Sequence, residues 1–331
     1  MIPLDWDIVE FEEICQIRKQ KVNPLFQSGE FCVELEHLEP ETGLLLGNTV
    51  TKPNSSIKTV FQNGDVLFGK LRAYLRKYWL ANQDGVCSTE IWAFVATNKA
   101  INPFLFYVVQ TEQFIKAASE AYGTHMPRSD WNVVKNYLLP LPPLPEQTAI
   151  ATALSDTDAL ISSLQTLIAK KQAVKLAAMQ NLLSGKIRLP AFAQRPDGSL
   201  KTTRQTELGC VPEDWEVLEL GSVAFIKTGS KNNQDKKENG QYPFFVRSAT
   251  VEQIDTYSYD CEAILIPGEG NIGSIFHYIN GKFDAHQRVY VIRDFYNVIG
   301  KFVFFALKQN FGKHAMENTV KATVDSLRLP T

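Results

Sequence analysis

The sequence predicts a mixed α/β (α+β) protein, with two tandem modules of similar design joined by one long helix of coiled-coil type. Three observations carry that expectation. A pattern of proline, aspartate and tryptophan occurs twice, at Pro3, Asp5 and Trp6 and again at Pro212, Asp214 and Trp215. Short apolar runs follow each copy in the same order. Between the copies, Glu146 to Ser184 contains neither proline nor glycine, so nothing there breaks a helix.

The helix follows a proline-studded strap that begins at Leu139. Ile150, Leu154, Ile161, Leu164 and Ile168 form an apolar stripe, Leu160 and Leu167 widen it, and Val174, Ala178 and Leu182 continue it. Pro145 suits a first helical position and Glu146 a first turn, while Lys170, Lys171 and Lys175 come late. Gly185 reads as a left-handed cap. At 1.5 Å per residue the rod would be about 58 Å long. A buried core helix is the plainer reading, but it leaves the strap and the flanking repeats unexplained. The stripe is also wider than a two-stranded seam needs, so it predicts more than one covered face.

The predicted organisation is a first module at 1–140, strap and helix at 141–190, a polar, turn-rich linker at 191–210 and a second module at 211–331. Each opening, Ile2 to Phe11 and Val211 to Leu220, reads as a turn leading into a strand. Phe61 to Leu71 has its counterpart in Tyr259 to Gly270, with Ala263 to Ile266 as strand and Pro267 to Gly270 as turn. Ile91 to Val95 matches Arg288 to Ile292, and helical patterns follow at Pro103 to Ala118 and Tyr296 to Gln309. Lys135 to Pro140 corresponds to Asp325 to Pro330. Each module is thus a set of short strands with about two helices.

At 331 residues the chain has room for two cores. Net charge is −2, which excludes a protein coated in basic charge but not one with a local basic face. Acidic residues crowd positions 5–41, whereas the charged residues from Lys52 to Lys77 are cationic with only Asp65 against them. No apolar run spans a membrane and the N-terminus lacks a signal core, so the expected location is cytoplasmic. Five scattered cysteines have no metal-ligand spacing and fit a reducing compartment.

No catalytic constellation stands out. Asn102-Pro103-Phe104 is explained by a helix start. Gly268-x-Gly270-x-x-Gly273 has dinucleotide spacing, but Ser274 to Ile279 reads as strand rather than the helix such a loop requires. No phosphate-binding Gly-Lys-Ser/Thr loop is present and the histidines are dispersed. Binding candidates are clearer. Lys70, Arg72, Tyr74, Arg76 and Lys77 interleave cations with an aromatic just after a strand, a pattern that suits phosphates and base edges or, alternatively, a solvated hairpin. His125 and Arg128 lie in a second loop. Lys231 lies within a flexible, polar stretch from Lys227 to Asn233, and Asn271, His286, Gln287, Arg288 and Lys321 hold parallel places in the second module.

These residues resemble the specificity subunit of type I restriction–modification systems over essentially the whole chain. The opening pattern is Pro3, Trp6 and Phe11, repeated as Pro212, Trp215 and Leu220. The closing one is Leu141-Pro142-Pro143-Leu144-Pro145-Glu146-Gln147, and Leu182-Leu183-Ser184-Gly185-Lys186-Ile187-Arg188-Leu189-Pro190 resembles the family's helix end. The resemblance implies a non-catalytic reader of double-stranded DNA, each module taking one half of a two-part target, up to about 17 base pairs apart along such a rod. It implies docking of modification (methyltransferase) subunits and a restriction (motor-nuclease) subunit, with Glu146, Gln147, Ile150, Leu154, Ile161, Leu164 and Ile168 on the docking helix. S-adenosylmethionine, ATP and Mg would serve those partners, this chain binding no cofactor and no metal. The family's second conserved helix has no counterpart after Pro330, which leaves self-association through the unpaired helix as an expectation. The competing readings are a helix-based protein scaffold without DNA recognition, and a single-chain methyltransferase or nuclease.

Overall fold

The computed structural model describes residues 3–23, 29–52, 56–120, 127–207, 209–270 and 272–317. Two compact units divide the chain, Met1–Gln165 and Thr166–Thr331, so the long helix contributes to both.

In the first unit the opening strand Asp7–Glu10 pairs antiparallel with Leu138–Leu141, which brings the start of the module against its end. One helical turn, Phe11–Ile14, then drives Phe11 and Ile14 into the core. Phe11 is fully enclosed, its ring 4.8 Å from that of Phe114, 5.5 Å from Phe94 and 6.1 Å from Trp131. Burying such a side chain contributes roughly 1.5–3 kcal/mol.

Two sheets follow. One orders Cys15–Ile17, Ile91–Ala96, Val66–Gly69 and Tyr78–Leu80; the other Lys21–Val22, Lys58–Phe61, Gly85–Ser88, Phe31–Val33 and Thr49–Val50. A single hairpin runs through both. The register that pairs Lys58 with Ser88 and Phe61 with Gly85 resumes unchanged at Val66 with Leu80. The strands are interrupted at 62–65 because the buried Asp65 carboxylate turns back on its own loop, accepting from Gln62 N at 2.8 Å and from the Arg18 guanidinium.

The second unit repeats this plan as one six-stranded sheet: Phe225–Thr228, Val289–Arg293, Tyr259–Pro267, His277–Ala285, Tyr242–Phe245 and Glu252–Ile254. Tyr259–Pro267 and His277–Ala285 form the equivalent hairpin without interruption. Tyr242–Phe245 joins it in parallel, as Phe31–Val33 does in the first unit. The strands expected at Ala263 to Ile266 and at Ile91 to Val95 are present, and Val289–Arg293 covers most of the run expected from Arg288.

Four local expectations need correction. The helical pattern from Pro103 to Ala118 is two helices, Asn102–Val108 and Glu112–Ser119, because Thr111 caps the second by accepting from Phe114 N at 3.3 Å. Its counterpart is one helix, Gly300–Glu317, beginning later than Tyr296 because Asn297 is left-handed at φ 55°. The strand after Trp215 does not form: residues 215–219 have no regular structure and Leu220–Val223 is a helical turn. By the repeat its partner would be 325–330, outside the described residues. Finally, the expected linker is folded. It holds a two-stranded sheet, Thr203–Thr206 with Gly209–Pro212, and Arg195 pairs with Glu213 at 2.7 Å.

The long helix runs from Leu144 to Leu183, 40 residues. At its start Trp6 Nε1 donates to Glu146 Oε2 at 3.0 Å, joining the opening and closing motifs. Gln147 is buried. Its amide donates to Lys99 O and Pro142 O, both at 2.9 Å, and accepts from Ile101 N at 3.2 Å. At the other end Gly185 is left-handed at φ +70°, and a Cβ there would lie 2.2 Å from Pro212 Cγ. Arg188 grips Asp214 with bonds of 2.6 and 2.9 Å and lies over the Trp215 ring at 5.8 Å. Each Pro-x-x-Trp motif thus clasps a terminus of the helix, Trp6 within the first unit and Trp215 within the second.

Replacing Gln147 with alanine removes three hydrogen bonds to backbone groups, and we expect a loss of about 2–4 kcal/mol in chemical denaturation, since each such bond contributes about 0.5–1.5 kcal/mol. Trp6→Phe removes one partly exposed bond and should cost about 1 kcal/mol.

Candidate nucleic-acid interface

The hairpin places the same three loops side by side in each unit. They are the hairpin tip, the turn before the last sheet strand, and the loop after the parallel strand. In the first unit these are 70–77, 89–90 and 34–37; in the second, 268–270 with 272–276, 286–288 and 246–251. The backbone confirms the equivalence. Lys70 N donates to Glu90 O at 3.0 Å, and Gly268 N to Arg288 O at 2.8 Å. The third loop is tied in both, by Lys77 Nζ to Leu35 O at 2.6 Å and by His277 Nε2 against Ser248 O at 3.0 Å.

At the first tip, Arg72 and Arg76 are both left-handed, at φ 54° and 50°, flanking the 3-10 turn Ala73–Leu75. Non-glycine residues there carry about 1–2 kcal/mol of strain each. Buried Ala73 anchors the turn, and Tyr74 projects into solvent. The cations divide into two groups. Arg76 is held by Glu112 at 2.6 Å, Lys77 by the Leu35 carbonyl and Arg128 by Glu90 at 2.8 Å. Among the described residues Lys70 and Arg72 have no ion-pair partner. Arg128 joins the tip through a bridge with Leu71, and Pro127 O accepts from Arg72 N at 2.9 Å. His125 lies outside the described residues.

In the second unit Lys231 arrives through a close approach. The expected flexible stretch is instead a strand and a turn crossing the sheet, and a Cβ on Gly229 would lie 2.2 Å from Ala285 O. Lys231 bridges to His286, and its Nζ lies 3.8 Å from Asp284 Oδ2. Gln287 and Arg288 are exposed, while His286 is buried. Arg288 and Arg247 share the Glu269 carboxylate. Asn271 and Lys321 fall outside the described residues. Sequence reading missed Arg247, Glu269 and Asp284: the parallel pairing of Phe245 with Ala285 brings Arg247 to this turn, the antiparallel pairing of Pro267 with Val289 brings Glu269, and Asp284 ends the strand that leads into it.

Strand His277–Ala285, not a helix, follows the glycine-spaced loop, so it is no dinucleotide cradle. Among the described residues no group of three or more histidine, cysteine or acidic side chains could hold a metal ion, and no helix is long and apolar enough to cross a membrane. Burial raises the pKa of the Cys15, Cys32 and Cys87 thiols, that of Cys32 to about 11, so these are core groups and not thiolates.

The family described as type I restriction modification DNA specificity domain matches residues 3–170 and 212–330. The chain belongs to that specificity family. It is 36% identical over 120 residues to the type I restriction enzyme EcoDI specificity subunit of Escherichia coli, a match covering 36% of this chain and 26% of the relative. To the MjaVIII specificity subunit of Methanocaldococcus jannaschii it is 29% identical over 234 residues, 69% of this chain and 51% of the other. The chain therefore spans about a quarter to a half of these curated relatives. Its fold is similar to that of the HsdS subunit from Thermoanaerobacter tengcongensis, at TM-score 0.51 and 21% identity, covering 93% of this chain and 80% of that one. It is likewise similar to the S subunit of the type I system from M. genitalium, at TM-score 0.58 and 16% identity, covering 96% and 79%.

For this specificity-family chain the helix residues also divide. Gln147 faces inward and Glu146 holds Trp6, whereas Leu154, Ile161, Leu164 and Ile168 are exposed, as are Leu160, Leu167 and Val174. Ile150 packs against the first core.

Burial, and then the Arg247 guanidinium, hold the His286 pKa below its usual 6.5. The unfolded chain binds that proton more tightly, so this contribution to stability is whole above about pH 6.5 and is lost as pH falls through the lowered pKa. Urea midpoints should drop between about pH 7.5 and about pH 5 by more in the native protein than in His286→Gln.

Proposed function

We propose that this chain is the DNA-reading, non-catalytic specificity subunit of a type I restriction–modification complex. Modules at 1–140 and 211–331 would each read one half of a bipartite duplex target. The observation that carries this reading is the repetition of three loops on one backbone plan with different side chains on each copy. A constant scaffold with changed tips is what two half-sites of different sequence require. Lys70, Arg72 and Tyr74 face the duplex from the first module; Lys231, Gln287 and Arg288 do so from the second. Cations neutralise phosphates, and Gln287 has the donor and acceptor that adenine N7 and N6 require. Arg76, Lys77 and Arg128 act mainly by shaping the first tip. The exposed apolar side chains from Leu154 to Ile168 would dock methyltransferase and motor-nuclease subunits, which would use S-adenosylmethionine, ATP and Mg.

That same exposed helix is the observation favouring the second reading, a protein scaffold without DNA contact. Fluorescence anisotropy of a labelled duplex with the chain in complex with its modification subunit separates the two. DNA reading predicts affinity that falls steeply with salt, and a log–log slope reduced by about 1 in Lys70→Ala and again in Arg72→Ala. Salt-independent affinity, or none, would favour the scaffold.

A further inference from the structure

Beside the second unit's turn lies a cleft of about 410 Å³, lined in part by Asn233, Arg247, Ser248, Glu269 and His286. Its charges are arranged unusually. Glu269 receives two guanidinium groups on separate oxygens, Arg247 NH1 on Oε2 at 3.3 Å and Arg288 NH1 on Oε1. The carboxylate side chain is only 18% exposed, whereas the Arg247 and Arg288 side chains are 51% and 54% exposed. One largely buried acid therefore holds two arginines, each of whose side chains stays about half exposed. The backbone beneath is fixed as well. Gly268 N holds Arg288 O at 2.8 Å, and Arg288 N donates to His286 Nδ1 at 3.0 Å. With Nδ1 accepting, the neutral His286 ring carries its proton on Nε2 and adds another donor at the wall.

We infer that Arg247 and Arg288, oriented by Glu269, are the specificity-determining pair of the second module, and that the base they select is guanine. The inference rests on the DNA-reading function proposed above. Guanine alone presents two acceptors, O6 and N7, on its major-groove edge, and a guanidinium offers only donors. Adenine would set its N6 amino group against those donors, cytosine offers an amino group, and thymine has one acceptor beside a methyl group. Two guanidinium groups around one carboxylate leave a net positive charge, so the cluster also favours approach to the duplex. Among the described residues the first module has no such pair. The sheet register sets Glu90 at the place of Arg288, and the parallel strands set Leu35 at that of Arg247, so its half-site is read by other chemistry.

The test is adenine-methylation mapping in a restriction-negative host carrying this chain and its modification subunit. The unmodified chain should produce a two-part motif with a guanine in the half that Arg72→Ala leaves intact. Arg247→Ala or Arg288→Ala should reduce methylation of guanine-bearing sites by about 10- to 100-fold and relax that position, leaving the other half unchanged. Arg247→Gln should shift the preference at that position from guanine toward adenine, a gain that misfolding cannot imitate. Glu269→Gln should relax the same position less than Arg247→Ala. An unchanged guanine requirement in Arg247→Ala and Arg288→Ala, with no shift in Arg247→Gln, overturns the inference and leaves the DNA-reading function standing. No two-part motif from the unmodified chain would overturn that function, and this inference with it.

Discussion

The buried amide of Gln147 satisfies Lys99 O, Pro142 O and Ile101 N, groups brought together from the sheet's exit and from the strap. Without it the first turn of the long helix would lie over three unpaired backbone groups, the Pro142 carbonyl among them buried from water. Trp6 adds a bond from the chain's beginning to Glu146 on the same turn. The helix therefore departs from the first core in a fixed direction, and Tyr107 extends that hold by donating to Asp158 at 2.8 Å. From Thr152 to Ala178 every residue of the helix is exposed, its apolar stripe included, so its stability in water depends on what lies against it.

Much of this plan was legible in the sequence. The doubled Pro-x-x-Trp motif, the strand order and the helix limits followed from periodicity and from the placement of proline and glycine. What the doubled motif is for was not legible, because the partner of Trp6 lies 140 positions away. The break at Thr111 had a readable signal, a threonine followed by glutamate, but continuous hydrophobicity on either side masked it. The strand after Trp215 was expected from alternation alone, and alternation cannot supply the neighbouring strand that makes a strand of it.

The candidate surface was half legible. Lys70 to Lys77 announced itself as a cluster, yet clustering could not separate cations that hold the tip in shape from those left free. That distinction depends on Glu112, Glu90 and the Leu35 carbonyl, which fall beside the tip only after folding. Arg247 gave no local signal at all, standing alone after an apolar strand. Its significance comes from a parallel pairing between segments about forty residues apart, a class of contact that local pattern does not encode.

The interruption in the first hairpin has an evolutionary consequence. Pairing resumes beyond 62–65 and 81–84 in the same register, so the two gaps are of matched length. Lengthening one gap by a single residue would turn every later side chain of that strand to the opposite face. Insertions and deletions there are tolerated only as compensating pairs, whereas the tip, between its tethers at Arg72 and Lys77, can change length without turning either strand over. Divergence among such modules should therefore accumulate at the tips as changes of length, and along the strands only as substitutions.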